Sequence, residues 1–319
     1  MTPFAIAGVQ MHVSASHENV TAMSHRIDHV MARFPWVQMI VFSELAPYGP
    51  LTGNHPESTE GALDVFRDAA HRHNIWLLPG SMFERTEHGA LQNVAYVIDP
   101  QGETAGRYAK MFPFQPYEAG IEGGTEFCVF DVPDVGRFGV SICYDIWFPE
   151  TTRTLVSMGA EVLLHPVLTG TIDRDIELSI ARSTAAMFQT YVFDINGLGP
   201  GGTGRSCVVD PSGTILYQAA GQEEVIPVEV DFDLVRRQRA VGLRGLGQTL
   251  KSFRDRNVYF GVYDPSVADT GYLYSLGNLE MPQQGSRDGL QAPRPVDVTG
   301  PRGHNNITVL DTPKSAKDA

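Results

Sequence analysis

At 319 residues, with 42% hydrophobic and 19% charged side chains, the chain has the make-up of an ordinary soluble globular protein, long enough for one large α/β domain or two smaller ones. Its formal net charge of −13, with no Lys/Arg run longer than two residues, argues against a nucleic-acid or anionic-membrane partner and favours a neutral or small substrate. The three cysteines, Cys128, Cys143 and Cys207, show neither a CxxC pair nor a metal-type Cys/His spacing, which suits a reducing cytosol and excludes a disulfide framework.

Residues 4–11 read as a first core strand; they carry no basic region and no small-residue cleavage site, so no secretory signal is expected. No apolar run reaches the roughly 18 to 20 residues of a membrane span, and a cytoplasmic protein is expected. Over residues 16–34 the apolar positions Val20, Met23, Ile27, Val30, Met31 and Phe34 recur at steps of three and four, predicting an amphipathic helix that Pro35 ends. The apolar run 37–42 is a strand that delivers Ser43-Glu44 at its end. A second helix follows over 62–73, with Leu63, Phe66 and Ala70 inward, then a buried strand over 75–81. This alternation is the signature of helices layered on a sheet.

The pattern then changes. Residues 94–98 and 103–108 flank Asp99-Pro100-Gln101-Gly102 as a hairpin, and a near copy appears where Cys207-Val208-Val209 and Thr214-Ile215-Leu216-Tyr217 flank Asp210-Pro211-Ser212-Gly213. Two such hairpins mark equivalent places in a layered sandwich. Between them lies Gly139-Val140-Ser141-Ile142-Cys143-Tyr144-Asp145-Ile146-Trp147-Phe148-Pro149-Glu150: a buried strand ending in a cysteine, a tight turn, and a helix that runs to Gly159. Further on are a strand over 161–164, a helix over 173–188 with Ile176, Ile180, Met187 and Phe188 on one face and Thr171 or Asp173 as cap, and a strand over 190–195. Residues 226–230 close the sheet and a short basic helix end spans 233–239. Residues 1–273 are expected to form one domain. The stretch 274–319, rich in Pro, Gly, Gln and Asp, is expected to be a tail without a core of its own, either disordered or wrapped around another subunit.

A thiol at the carboxyl end of an apolar strand sits where α/β proteins transform small molecules. The plainer alternative is a small buried hydrophobe. Three ionisable residues stand at comparable places. Glu44 follows a strand directly, either as an exposed strand-end carboxylate or as a dry one with a raised pKa that serves as a base. Lys110, among the aromatic and proline residues of 107–114, is either solvated surface or an ammonium that needs a carboxylate partner, and Glu118 is near enough in sequence to be that partner.

With these four residues in view, the chain resembles the nitrilase superfamily, the carbon–nitrogen hydrolases, over roughly residues 4–240. The family pattern of a Glu after the second core strand, a Lys in a K-x-x-x-P-like loop with a second Glu nearby, and a Cys in a C-x-D/E-x-x-x-P-E context falls here on Glu44, Lys110, Glu118 and Cys143, in chain order. Cys143-Tyr144-Asp145 followed by Phe148-Pro149-Glu150 is similar to the amidase-like branches, not the Cys-Trp-Glu of true nitrilases. Gly201-Gly202-Thr203-Gly204-Arg205-Ser206, running into Asp210-Pro211-Ser212-Gly213, matches a further family feature.

The resemblance implies a four-layer α-β-β-α sandwich and an enzyme that hydrolyses a C–N bond through a thioester on Cys143, without metal or cofactor. Glu44 would be the general base, Lys110 and the Tyr144 backbone N–H the oxyanion donors, and Glu118 the group that positions Lys110 or the substrate amide. Trp147 stands where many relatives with acidic substrates carry Arg, which implies a neutral amide. The family associates through helical faces, so a homo-oligomer, dimer or higher, is expected. Tyr48, Tyr117, Tyr144 and Trp147 are expected in the pocket walls. His165 either lines that pocket or is a hydrogen-bonded core imidazole, while Asp145 anchors the turn after Cys143 and Glu150 caps the helix that starts at Pro149. The rival readings are a nitrilase or an N-carbamoyl amidohydrolase with the same residues, a cysteine hydrolase built on Cys143, His165 and Asp145, and a non-enzymatic small-molecule binder.

Overall fold

A computed structural model describes residues 3–264, except 57 and 201, together with 273 and 276–284. The chain divides into two compact units, residues 1–255 and 256–319. In the first unit, β1 (Phe4–Gln10), α1 (Val20–Arg33), β2 (Met39–Phe42), α2 (Glu60–His73) and β3 (Trp76–Leu78) follow one another, with β1, β2 and β3 paired in parallel. The antiparallel strands β4 (Ser81–Arg85), β5 (Leu91–Ile98) and β6 (Thr104–Ala109) extend that sheet.

The plan then repeats. β7 (Cys128–Val132) and β8 (Gly136–Val140) lead into α3 (Pro149–Ser157), β9 (Val162–Val167), α4 (Arg174–Phe188) and β10 (Tyr191–Asn196), and β8, β9 and β10 are parallel. After the small ribbon β11 (Leu198–Gly199) and β12 (Gly202–Thr203), the hairpin β13 (Cys207–Val209) and β14 (Ile215–Gln218) extends the second sheet. β15 (Glu224–Val230) returns to the first sheet antiparallel to β1, and α5 (Phe232–Val241) and α6 (Thr249–Asp255) follow.

Strands buried on both faces read as near-continuous apolar runs, and β1 and β2 are buried throughout, with the hydrogen-bonded Gln10 at the end of β1 their one polar side chain. Val20, Met23, Ile27 and Val30 of α1 and Leu63, Phe66 and Ala70 of α2 cover one face of the first sheet. Its other face, with Phe4, Ile6, Val41 and Val97, packs on Phe130, Phe138, Val140, Leu164 and Phe193 of the second sheet. The far side of that sheet is covered by Leu155 of α3 and Leu178, Ala181 and Ala185 of α4. Each fully buried Leu, Ile or Phe contributes about 1.5–3 kcal/mol. The result is a four-layer α-β-β-α sandwich.

Two local expectations change. The apolar run 75–81 is interrupted because Pro79 lacks a backbone N–H and Gly80 adopts φ +80°, so β3 stops at Leu78 and β4 starts afresh at Ser81. A Cβ on Gly80 would lie 1.8 Å from the Ser43 carbonyl oxygen, so only glycine allows that approach. In α4 the buried face is Arg174, Glu177, Leu178, Ala181, Thr184, Ala185 and Phe188, whereas Ile176 and Met187, expected inside with Phe188, point outward at 52% and 48% exposure. Asp173 takes the cap position, but its carboxylate accepts from the Thr171 hydroxyl instead of from the helix.

The second unit, in its described part, has a turn of 3-10 helix at Gly261–Tyr263, with the Tyr259 hydroxyl donating to Asp264 at 2.6 Å. Most of the tail expected over 274–319 lies outside the described residues. Among the described residues no helix is long and apolar enough to cross a membrane.

Candidate active site

Glu44, Lys110 and Cys143 each lie just beyond the carboxyl end of a strand, after β2, β6 and β8. Glu44 is held where the two sheets meet: its N–H donates to the Val167 carbonyl at the end of β9, at 3.2 Å. Its buried Oε1 accepts from Lys110 Nζ and from Asn93 Nδ2, each at 2.8 Å. Lys110 is buried as well and donates a second bond, 2.9 Å, to Glu118 Oε2. Glu118 also accepts from the Phe114 N–H, while Gln115 Nε2 donates to its carbonyl at 2.9 Å, which folds the 114–118 loop over the lysine. The ammonium is thus shared between two carboxylates, the arrangement that makes its burial tolerable.

Cys143 opens a 3-10 turn, Cys143–Trp147, with a left-handed φ of +46°. For a residue with a Cβ that conformation costs of order 1–3 kcal/mol and persists only where its surroundings impose it. Here Asp145 does so: its carboxylate accepts from the Ile142 N–H at 2.9 Å, the Phe112 N–H at 2.8 Å and the Tyr108 hydroxyl at 2.7 Å. Asp145 therefore ties the turn after β8 to the strand end that carries Lys110. The Tyr144 N–H, second in the turn, has no acceptor within it.

The Cys143 thiol lies near enough to the Glu44 carboxyl and the Lys110 ammonium for their charges to act on one another. Burial raises the Glu44 pKa against the opposing pull of Lys110. Burial also raises the thiol, reinforced by Glu44 and opposed by Lys110. For Lys110 burial works against the charge, but Glu44, Cys143 and Glu118 outweigh it and hold the pKa above its ordinary value. A protonated thiol, a carboxylate with enhanced proton affinity and a firmly charged ammonium therefore face one another. Such a set can take a proton from sulfur and stabilise negative charge on an adjacent oxygen.

The remaining candidates are distributed unevenly. Tyr144 is half-buried within an aromatic cluster: Phe114 stands 5.0 Å away ring to ring, Phe148 5.2 Å and Trp147 6.0 Å. Tyr117, 56% exposed, stacks on Phe114 at 5.1 Å. Trp147 packs on the layer beneath α3 and α4, and its buried Nε1 has no acceptor among the described residues. Tyr48 lies against His55, 5.2 Å between rings, and the layer beneath α1 and α2. His165, inside β9, is fully buried with Nδ1 2.8 Å from Ser141 Oγ; burial depresses its pKa to about 4. Glu150 occupies the first turn of α3.

Three residues that sequence reasoning passed over belong to the surroundings of the site. Asn93, a fully buried amide inside apolar β5, fixes Glu44, and its position in Asn93-Val94-Ala95 was the available signal. Thr169, two residues past β9, places its hydroxyl 3.8 Å from Cys143 Sγ and donates to Glu177 Oε1 at 3.1 Å. Glu177 is a carboxyl on the inward face of α4, which no periodicity separates from a surface glutamate. Among the described residues no group of three or more His, Cys, Asp or Glu side chains is arranged to hold a metal ion.

The carbon-nitrogen hydrolase family model matches residues 5–240. A formamidase of Bacillus thuringiensis (strain Al Hakam) is 29% identical over 267 residues, covering 80% of this chain and 75% of the relative. In structure, Saccharomyces cerevisiae Nit3, a member of branch 10 of the nitrilase superfamily, superposes with a TM-score of 0.68 at 24% identity, over 75% of this chain and 93% of its own. An amidase from Nesterenkonia sp. gives 0.65 at 21% identity, over 74% and 94%. These two likenesses speak for the fold, and the family match covers the segments that carry Glu44, Lys110, Glu118 and Cys143. The chain belongs to the carbon–nitrogen hydrolase family and is an enzyme that hydrolyses C–N bonds.

Proposed function

We propose that the protein hydrolyses a small neutral amide through a thioester on Cys143. The observation that carries this reading is the buried contact of Lys110 with Glu44 at 2.8 Å and with Glu118 at 2.9 Å, in the electrostatic neighbourhood of the Cys143 thiol. Glu44 takes the thiol proton as sulfur attacks the carbonyl carbon. Lys110 and the Tyr144 N–H stabilise the oxyanion, each such donor being worth on the order of 3 kcal/mol. The proton held by Glu44 passes to the leaving nitrogen, which departs as ammonia or an amine. Glu44 then activates a water that attacks the thioester and releases the acid. Glu118 keeps Lys110 aimed at the carbonyl oxygen.

The formamidase and amidase relatives favour an amide over a nitrile or a carbamoyl compound. Tyr144, Tyr117 and Trp147 belong to an aromatic cluster beside the Cys143 turn, and Trp147 in place of an arginine supports a neutral substrate. The exposed apolar residues Ile176 and Met187 on α4, with Ile172 just before it, support association with a second copy of the chain. Three cysteines without a bridge support a cytoplasmic setting.

Ammonia release from a panel of small amides, carbamoyl compounds and nitriles tests the reading. Cys143→Ala is expected to abolish turnover while leaving the far-UV spectrum unchanged, and neutral amides are expected to outrun dicarboxylic monoamides. Undiminished turnover by the variant would sink the mechanism, and preference for a carboxylate-bearing amide would sink the substrate assignment.

A further inference from the structure

The proposed reaction leaves one buried carboxyl near the sulfur unused. Glu177, 4% exposed on α4, accepts from the Thr169 hydroxyl at 3.1 Å, and that hydroxyl oxygen lies 3.8 Å from Cys143 Sγ. Thr169 is fixed through its backbone, with its N–H donating to Asn196 Oδ1 at 2.9 Å and its carbonyl accepting from Asn196 Nδ2 at 3.0 Å. Glu177 Oε2 meets Arg174 Nη1 at 3.3 Å; Arg174 also binds Asp194 and, at 2.9 Å, the Arg205 carbonyl. Sulfur, hydroxyl and carboxyl thus form a chain anchored at both ends.

A hydroxyl has one proton to give. With Glu177 ionised, the Thr169 proton points at the carboxylate and a lone pair faces the sulfur, an arrangement that suits S–H. With a proton on Glu177, the carboxyl O–H donates to Thr169 Oγ1, and the hydroxyl proton turns to the sulfur, which suits a thiolate. Both states contain the same number of hydrogen bonds; the proton that Glu177 gains comes from solvent, and the proton that the sulfur loses goes to Glu44. We propose that Glu177, acting through the Thr169 hydroxyl, is a positioning residue that sets whether Cys143 sulfur meets a donor or an acceptor, coupling thiolate formation to protonation of Glu177. Its consequence for turnover rests on Cys143 being the nucleophile.

Burial, aided by Asp194 and opposed by Arg174 and Thr169, raises Glu177 to about 7, so the carboxyl changes charge near neutrality. The titratable and charged groups around it are Arg174 on α4, Asp194 on β10 and Cys143 after β8. Cys207 on β13 and His165 on β9 face the Arg174–Asp194 pair, and Glu44 and Lys110 act on the same sulfur.

The pH dependence of Cys143 alkylation by iodoacetamide, assigned by peptide mass, reads the coupling on the thiol itself. In Glu177→Gln the amide N–H donates to Thr169 at every pH. Its alkylation midpoint is expected about one pH unit lower, or about tenfold faster alkylation below the midpoint. Thr169→Ser is expected to keep the wild-type profile, Thr169→Val to move the midpoint up, and Glu177→Gln to have no further effect in the Thr169→Val background. An equal Glu177→Gln shift with and without the hydroxyl, or none in either, overturns the proposal. If Glu177→Gln fails to fold because Arg174 loses its partner, the Val and Ser variants at Thr169 decide, and coincident profiles overturn it. Turnover by Cys143→Ala would remove the nucleophile reading while leaving the alkylation profile interpretable; a flat profile with Cys143 essential would remove only the relay.

Discussion

At the scale of single residues, the site is defined by which buried groups hold a charge and which do not. Lys110, Glu44 and Glu118 balance one another, and Asn93 and Asp145 fix the geometry around them. His165 has no compensating anion in direct contact, and burial drives its pKa down from 6.5 to about 4. The folded state therefore resists protonation, whereas the unfolded chain takes up a proton as pH falls through 6.5. More protons on the unfolded state mean that stability rises with pH across the window from 4 to 6.5 and is lost on acidification. Between pH 7 and pH 5 this histidine should cost the fold about 2 kcal/mol. Urea unfolding of the wild type and His165→Gln at both pH values checks this: the variant should lose less stability on acidification by about that amount. Equal losses would show that His165 does not carry the acid sensitivity.

At the scale of elements, positions are set by strand ends and by the turns that follow them. Both hairpins close with the same device. Asp99 Oδ1 accepts from the Gln101 and Glu103 N–H groups, each at 2.9 Å, and Asp210 Oδ1 accepts from Ser212 and Thr214 at 2.8 and 2.9 Å. Repetition of that turn on two sheets is why two similar sequence segments occupy equivalent places. After β2, the backbone that carries Glu44 is pressed against Gly80, while the neighbouring Leu45 N–H donates to Ser81 Oγ at 3.0 Å. Gly80→Ala should therefore displace Ser43 and Glu44, lowering kcat more than it raises KM and costing more than about 1 kcal/mol of stability. Steady-state kinetics with thermal unfolding test this, and an unchanged kcat would show that the Gly80 contact does not govern the position of Glu44.

At the scale of the whole molecule, the outer face of α4 carries exposed apolar side chains that bear on assembly. Ile172 is 99% exposed and Ile176 52% on a stripe that the chain's own layers leave uncovered. If a second copy covers it, Ile176→Glu combined with Met187→Glu should convert the sedimenting species to a monomer with its helical content intact. A wild type that sediments as a monomer would reject self-association.

Much of this was legible in the sequence. The strand–helix alternation, both hairpins and the segments bearing Glu44, Lys110, Glu118 and Cys143 rest on local patterns, because apolar period, turn residues and strand-end polar groups are properties of contiguous residues. The split of residues 75–81 into two strands also had a local sign in Pro79-Gly80, which the apolar run obscured. What only the tertiary structure decided is which of two apolar faces α4 buries. Both carry aliphatic residues, and the choice falls to Leu178, Ala181 and Ala185 because small side chains let the helix lie close on the second sheet. That choice turns Arg174 and Glu177 inward, beside Asp194 and Thr169, where desolvation and pairing give them properties that no surface residue of the same type has. It also separates His165, sealed inside β9 on Ser141, from the groups at the strand ends. Burial of a charge and the identity of its partner depend on segments far apart in the chain, and only the folded packing brings them together.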